Sequence, residues 1–311
     1  MNVEVAAIGS KRAGTPLPHV ADYLRAIVDL GRRSFRPALP ALLLLYFYRL
    51  AIGVYMALSD YTYPEGGDAI GAILPQVAIM GTFVPLLLLI YTPFLPLQDG
   101  LLRGRGVSFT AAIRQVFEVS WNFMLSGIAQ VLILFTPFVA LCLVAGIMVS
   151  ISGADPEAAR VVAMAFVLLT GCLWTLAGGL FLMFATPAVV LDGEGPVRSI
   201  STSILLVRGH LAGLVGRLVA FAFVATIAYL FAMMPAAILT AAERSSDVVS
   251  VPFKVAGVIW SSAVDTLSFP FWVAALMVLY RALVPPAADA QSRAAMAIEA
   301  EFRPASTAPF E

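Results

Sequence analysis

PALPALLLLYFYRLAIGVYMAL, residues 37–58, decides how the rest of the chain is read. The run carries a single charge, Arg49, and is long enough for a membrane-crossing helix, which needs roughly 20 mostly apolar residues. Five more stretches of this kind follow, at about Ala69–Leu97, Trp121–Ser150, Ala158–Leu191, Leu211–Ala241 and Val251–Leu283. Composition agrees with them. Of 311 residues, 60% are apolar and only 12% charged, and the mean hydropathy is +0.92. Soluble domains average about 25% charged residues, so this much apolar surface has no place inside one soluble core. Nineteen basic residues balance nineteen acidic ones, cysteines number two, and no long low-complexity tract occurs. A nucleic-acid binder, a disulfide scaffold and a disordered chain are set aside together. The alternating segments of about ten residues that mark a β-barrel are absent. The expected fold class is all-α, a polytopic membrane protein with six transmembrane helices.

Orientation follows from the placement of Lys and Arg, which favour the cytoplasmic side. Lys11, Arg12, Arg25, Arg32, Arg33 and Arg36 precede the first span. Arg103, Arg105 and Arg114 lie between the second and third, Arg198 and Arg208 between the fourth and fifth, and Arg281, Arg293 and Arg303 at the end. The opposite side holds Arg160, Arg244 and Lys254. Both termini are therefore expected in the cytoplasm. Residues 1–36 lack the apolar core of a signal peptide, so the first span is expected to act as an uncleaved signal-anchor. The chain divides into a cytoplasmic segment 1–36 with an interfacial amphipathic helix, a membrane domain 37–284 and a cytoplasmic tail 285–311.

A unit recurs three times, at about 18–98, 108–191 and 197–284: an amphipathic helix, a span, a short outer loop and a second span. The apolar stripes of these amphipathic helices are Val20, Tyr23, Leu24, Ile27, Gly31, Ser34 and Phe35; Phe109, Ala112, Ile113, Val116, Phe117 and Ser120; and Ile200, Ile204, Val207 and Leu211. Basic residues stand off each stripe, a pattern that suits the headgroup boundary of a bilayer. Arg33, Arg105 and Arg208 are the candidate contacts to anionic lipid headgroups on the cytoplasmic side. The ends of two units also agree in letters. Thr92-Pro93-Phe94-Leu95-Pro96-Leu97-Gln98-Asp99-Gly100 and Thr186-Pro187-Ala188-Val189-Val190-Leu191-Asp192-Gly193 share T-P-x3-L-D-G apart from one inserted residue. One reading is helix punctuation, with proline kinking the span and Asp-Gly ending it. The other is an acidic pair, Asp99 and Asp192, that faces a ligand.

Phe184–Gly195, continuing through Ser203–His210, resembles a recurring bacterial pattern of apolar helix with proline, acidic-Gly turn, interfacial helix and further span. It is found in the membrane domain of some glycerophosphodiester phosphodiesterases and in stand-alone YciC-type membrane proteins. Met277-Val278-Leu279-Tyr280-Arg281 resembles that family's closing tyrosine-arginine segment, and the likeness covers roughly residues 85–285. Asp192 stands where the pattern has glutamate, and Ile204 where it has tryptophan. Only 27 residues follow the last span, too few for an attached catalytic domain, so phosphodiesterase activity is not expected. The resemblance implies an integral membrane protein with a role in envelope or lipid homeostasis.

Chemistry-bearing residues are sparse. Histidines are His19 and His210, and no zinc, P-loop, EF-hand or nucleophile-elbow spacing occurs. Cys142 and Cys172 read as small packing residues, and Gly178-Gly179 as a close helix approach. Two charges inside spans stand out, Arg49 in the first and Asp265 in the sixth. A charge at mid-bilayer costs at least about 2.5–3.5 kcal/mol, so it faces the bundle interior or a cavity, usually with a partner. The expectation is that Arg49 and Asp265 pair and close the ring of units. Ser261, Ser262 and Thr266 share a stripe with Asp265 and are the candidate lining of any cavity, with Trp260 and Trp272 as packing or interface residues. The expected function is non-enzymatic: a lipid-facing or scaffold component of the bacterial inner membrane, without cofactor, metal or nucleic-acid partner. One alternative is a transporter or channel using Arg49, Asp265 and that stripe. Another is a membrane-embedded, lipid-acting enzyme drawing on Asp99, Asp192, His210 and Arg208.

Overall fold

A computed structural model describes residues 17–59, 90–151, 156–245 and 251–284. Most of the second expected span, the first outer loop and the tail 285–311 lie outside them. Every element among the described residues is helical: α1 (Val20–Ser59), α2 (90–102), α3 (Phe109–Glu118), α4 (Ser120–Ile151), α5 (Pro156–Leu182), α6 (Ala185–Asp192), α7 (Pro196–Ser245) and α8 (Val251–Leu283). Among the described residues, five helical segments are long and apolar enough to cross a membrane: Val20–Ala57, Ser120–Ser150, Val161–Asp192, Pro196–Ala241 and Pro252–Leu283. That is the build of a multi-pass membrane protein.

The three amphipathic segments join their spans in different ways. The first does not break from its span, because α1 continues through Pro37 and Pro40. Its apolar stripe meets protein, with Tyr23, Ile27, Leu30 and Ser34 buried and the Tyr23 hydroxyl donating to the Ala275 carbonyl at 3.3 Å. The second is a separate helix. Ser108 caps α3 by accepting from the Ala111 amide at 3.2 Å, and the chain turns at Val119 before α4. The third bends into its span at His210 (φ −136°), next to the expected span start at Leu211. Its buried face is Ser199, Ser203, Leu206 and Val207, rotated from the expected stripe of Ile200, Ile204, Val207 and Leu211. Polar Ser199 and Ser203 turn inward because protein backbone and side chains there take their hydroxyls.

The two T-P-x3-L-D-G endings also differ. After Asp192, Gly193 takes a left-handed φ of 65° and ends α6, a conformation glycine adopts without steric cost. Asp99-Gly100 ends nothing: α2 runs to residue 102, and the left-handed residue is Gly104. Gly100 is needed for space instead, since a Cβ there would lie 2.2 Å from Val107 Cγ2. Ahead of Pro187 the chain breaks between α5 and α6. Ser203 of α7 repairs the break, accepting from the Phe184 amide at 3.0 Å and donating to the Phe181 carbonyl at 2.7 Å. Such a side chain restores backbone bonds that a bilayer interior does not supply.

α1 and α8 run antiparallel, with Gly53 against Val258 at one end and Tyr23 against Ala275 at the other. The core gathers at the Tyr23 end, from the first half of α1, α2, α6, the start of α7 and the last third of α8. α4 and α5 pack on each other at Gly171 and Gly178, where added Cβ atoms would meet Phe138 and Leu134. They bury little else, leaving Val131, Leu132, Phe135, Leu143, Leu169 and Leu176 exposed. Cys142 and Cys172, read from the sequence as small packing residues, are exposed on these two helices. Ser126 of α4 meets Ser199 of α7 across the helices at 3.2 Å, and Gln130, one turn on in α4, donates to Ser126 at 3.2 Å.

Candidate functional site

The two aspartates of the repeated ending meet one arginine at the core end. Asp99 projects from α2, Asp192 from the last turn of α6, and Arg281 from the last turn of α8. Arg281 Nε is 2.5 Å from Asp99 Oδ1, and Nη1 is 3.3 Å from Asp192 Oδ1. Arg103 adds a second cation, its Nη2 2.7 Å from Asp99 Oδ2. The Tyr280 hydroxyl donates to Asp192 Oδ2, and the Tyr280 ring packs on Phe184 with centroids 5.7 Å apart. Thus the end of α8, which lacks the acidic ending, supplies Tyr280 and Arg281 to the two T-P-x3-L-D-G endings. Gln98, the inserted residue, is fully buried and donates to the Pro270 carbonyl at 2.9 Å and to Ser34 at 3.4 Å. Thr92 and Pro93 of α2 and Pro187 of α6 are buried, and Thr186 is half-buried. A cation between two carboxylates offsets a repulsion that would otherwise favour protonating one of them.

The second polar site lies higher on α8. Arg49 Nη1 is 2.5 Å from Asp265 Oδ2, and the Tyr229 hydroxyl of α7 donates to Asp265 Oδ1 at 3.0 Å. The structure thus brings the two intramembrane charges together and adds a third member. A cavity of about 730 Å³ opens beneath the trio between α1, α7 and α8. Its polar lining is Arg49, Thr226, Tyr229, Asp265 and Ser268, all within about one turn of the ion pair. The rest is apolar, including Ile27, Phe221, Phe271 and Trp272. Of the expected stripe only Asp265 reaches the cavity. Ser262 and Thr266 are buried, and Thr266 donates to the Ser262 carbonyl at 2.7 Å. Ser261 donates to the Val258 carbonyl at 3.1 Å. The cavity-facing stripe instead runs Asp265, Ser268, Trp272, three and then four residues apart, which is one helical face.

Other expected residues lie apart from both sites. His210 sits at the α7 bend with Nδ1 3.2 Å from the Leu206 carbonyl, and Arg208 is exposed. Arg105 is exposed, and Arg33 is an exposed ion-pair partner of Asp29 at 2.8 Å. Among the described residues no three His, Cys, Asp or Glu side chains gather as metal ligands. Two important residues escape the sequence reading. Tyr229 carries no signal in a span rich in aromatics. Arg217 does: it is a charge inside the fifth span, the same signal that singles out Arg49. It donates to the carbonyls of Pro18 at 2.7 Å and Leu17 at 3.0 Å, tying the start of the described chain to α7.

Comparison with known proteins adds one finding. Residues 38–283 match a family described as a domain of unknown function, DUF7847. No curated protein and no solved structure matches the chain.

Proposed function

We propose that this chain, which belongs to the DUF7847 family, is a non-enzymatic, lipid-facing scaffold of the bacterial inner membrane with both termini cytoplasmic. One contrast carries the reading. Asp99 and Asp192 at the core end are committed to Arg281, Arg103 and Tyr280, while α4 and α5 leave most of their large apolar residues exposed. Apolar faces this large mark contact with lipid or a partner. The core end is also the side richer in Lys and Arg, which favours its placement at the cytoplasmic leaflet. Arg105 and Arg208 stand exposed there without an ion-pair partner among the described residues, free to meet anionic headgroups.

Native mass spectrometry of the protein released gently from its own membrane tests this. Retained anionic lipid, lost in the Arg33→Ala/Arg105→Ala/Arg208→Ala variant, is expected. Equal retention by that variant, or no lipid at all, counts against it. A fluorescent reporter fused after Glu311 is expected to fold in the cytoplasm. A transport path is the second reading, favoured by a cavity that ends on a charged pair. Its apolar lining weighs against passage of ions, which need polar groups along the whole path.

A further inference from the structure

We propose that the cavity between α1, α7 and α8 binds one uncharged membrane lipid, with a carbonyl or hydroxyl oxygen on Arg49 and its apolar body against Phe221, Phe271 and Trp272. This rests on the reading of the chain as a lipid-facing membrane protein and names a lipid class for one site in it.

Four observations lead there. The cavity, about 730 Å³, is within the 300–1,000 Å³ typical of small-molecule sites. Arg49 lines the cavity with its side chain 27% exposed, so its guanidinium is the donor a ligand acceptor there would meet. Asp265 offers no acceptor of its own, because Arg49 takes one oxygen and Tyr229 the other. Last, the pair is already neutral. An anionic ligand at Arg49 would stand beside the Asp265 carboxylate and be repelled, whereas an uncharged acceptor meets the guanidinium without that penalty. Depth agrees with this choice. Asp265 precedes Arg281 by sixteen residues, roughly 24 Å of helix at 1.5 Å per residue. With Arg281 near the cytoplasmic surface, the trio lies within the roughly 30 Å hydrocarbon layer. Charged headgroups of the cytoplasmic leaflet do not reach that depth, and neutral lipids with one or two oxygens enter it.

Photocrosslinking of the full chain tests the site. The chain is placed in phosphatidylethanolamine–phosphatidylglycerol vesicles containing a diacylglycerol with a diazirine on its acyl chain. Labelling is expected to map to residues 221–232 and 264–272 and to be displaced by unlabelled diacylglycerol, with oleate and phosphatidylglycerol at least fivefold weaker as competitors. Ala225→Phe, which fills the cavity, is expected to lower labelling at least fivefold. Arg49→Met/Asp265→Val removes the charged pair at a similar summed side-chain volume, and is expected to abolish the preference for diacylglycerol. It keeps the proposal falsifiable should Ala225→Phe fail to fold, with gel filtration reporting folding of both. Equal labelling by a diazirine phosphatidylglycerol, preferred displacement by oleate, or labelling indifferent to the double variant overturns the proposal. If those results come with anionic-lipid loss in the Arg33, Arg105 and Arg208 variant, the site fails and the lipid-facing reading stands. If that loss is absent as well, both fall.

Discussion

α8 carries two arginine–aspartate sites, and they are closed to different degrees. At the core end the Arg281 side chain is 9% exposed, Asp99 11% and Asp192 28%. Two arginines, two aspartates and a tyrosine hydroxyl share the charge. Higher up, Arg49 and Asp265 are 27% and 32% exposed, with a cavity beside them. The aspartate oxygens are taken at both sites, and Arg281 and Arg49 each keep one buried nitrogen unpaired. What separates the sites is the space beside them: protein closes the first into a lock, and the second forms one wall of a cavity. Burying a charge pair is weak evidence of net stability in either place, but removing one partner is costly in both.

The comparison is broken most directly by Arg281→Met. Two carboxylates would then share a nearly closed site with Arg103 alone, and a loss of about 3–5 kcal/mol is expected. Thermal unfolding in detergent, followed by gel filtration, reads it, and Asp99→Asn in the same background should recover part of the loss. A variant as stable as the parent would remove the lock from the account. Next comes Arg49→Met, expected to cost about 2–3 kcal/mol because Asp265 keeps Tyr229 and a more open setting. Charge reversal, Arg49→Asp/Asp265→Arg, should regain folded protein lost in each single change. No recovery would mean that the two residues act separately.

Packing along the α1–α8 seam that joins the two sites sharpens the contrast with a smaller effect. A Cβ on Gly31 would lie 2.4 Å from Phe271 Cδ1, so Gly31→Ala pushes that ring toward the cavity and should cost about 1–3 kcal/mol. A melting temperature unchanged by this variant would show the seam to be loose. The smallest effect is expected at Gly216 of α7, where an added Cβ meets nothing within 4 Å. Gly216→Ala should stabilise by about 0.5–1 kcal/mol through helix propensity alone. A loss there would reveal a neighbour outside the described residues.

Much of this was legible in the chain. Hydropathy marked six stretches as spans, and five helices among the described residues are long and apolar enough to cross a membrane. The rule that a charge in a span needs company singled out Arg49 and Asp265, and it applies equally to Arg217. The repeated ending pointed to Asp99 and Asp192 but not to their partner, because the sequence around Arg281 does not share its letters. Tyr229 and Gln98 were illegible for a different reason. A tyrosine or glutamine in an apolar run takes its meaning from what stands opposite, and that lies 36 residues away for Tyr229 and 172 for the Gln98 contact with Pro270.

Amino-acid order alone determined which segments are apolar enough to leave water, where glycine and proline interrupt them, and which charges cannot remain unpaired among them. These are properties of a residue and its near neighbours, since transfer out of water and backbone sterics act locally. Tertiary structure alone decided that α1 runs unbroken through two prolines, that Asp99-Gly100 continues a helix while Asp192-Gly193 ends one, and that Arg281 reaches both aspartates at once. It also decided that Asp265, Ser268 and Trp272 face a cavity while Ser262 and Thr266 face protein. Those outcomes depend on how helices cross and on which side chains fill the space between them, and packing of that kind is settled by all the elements together.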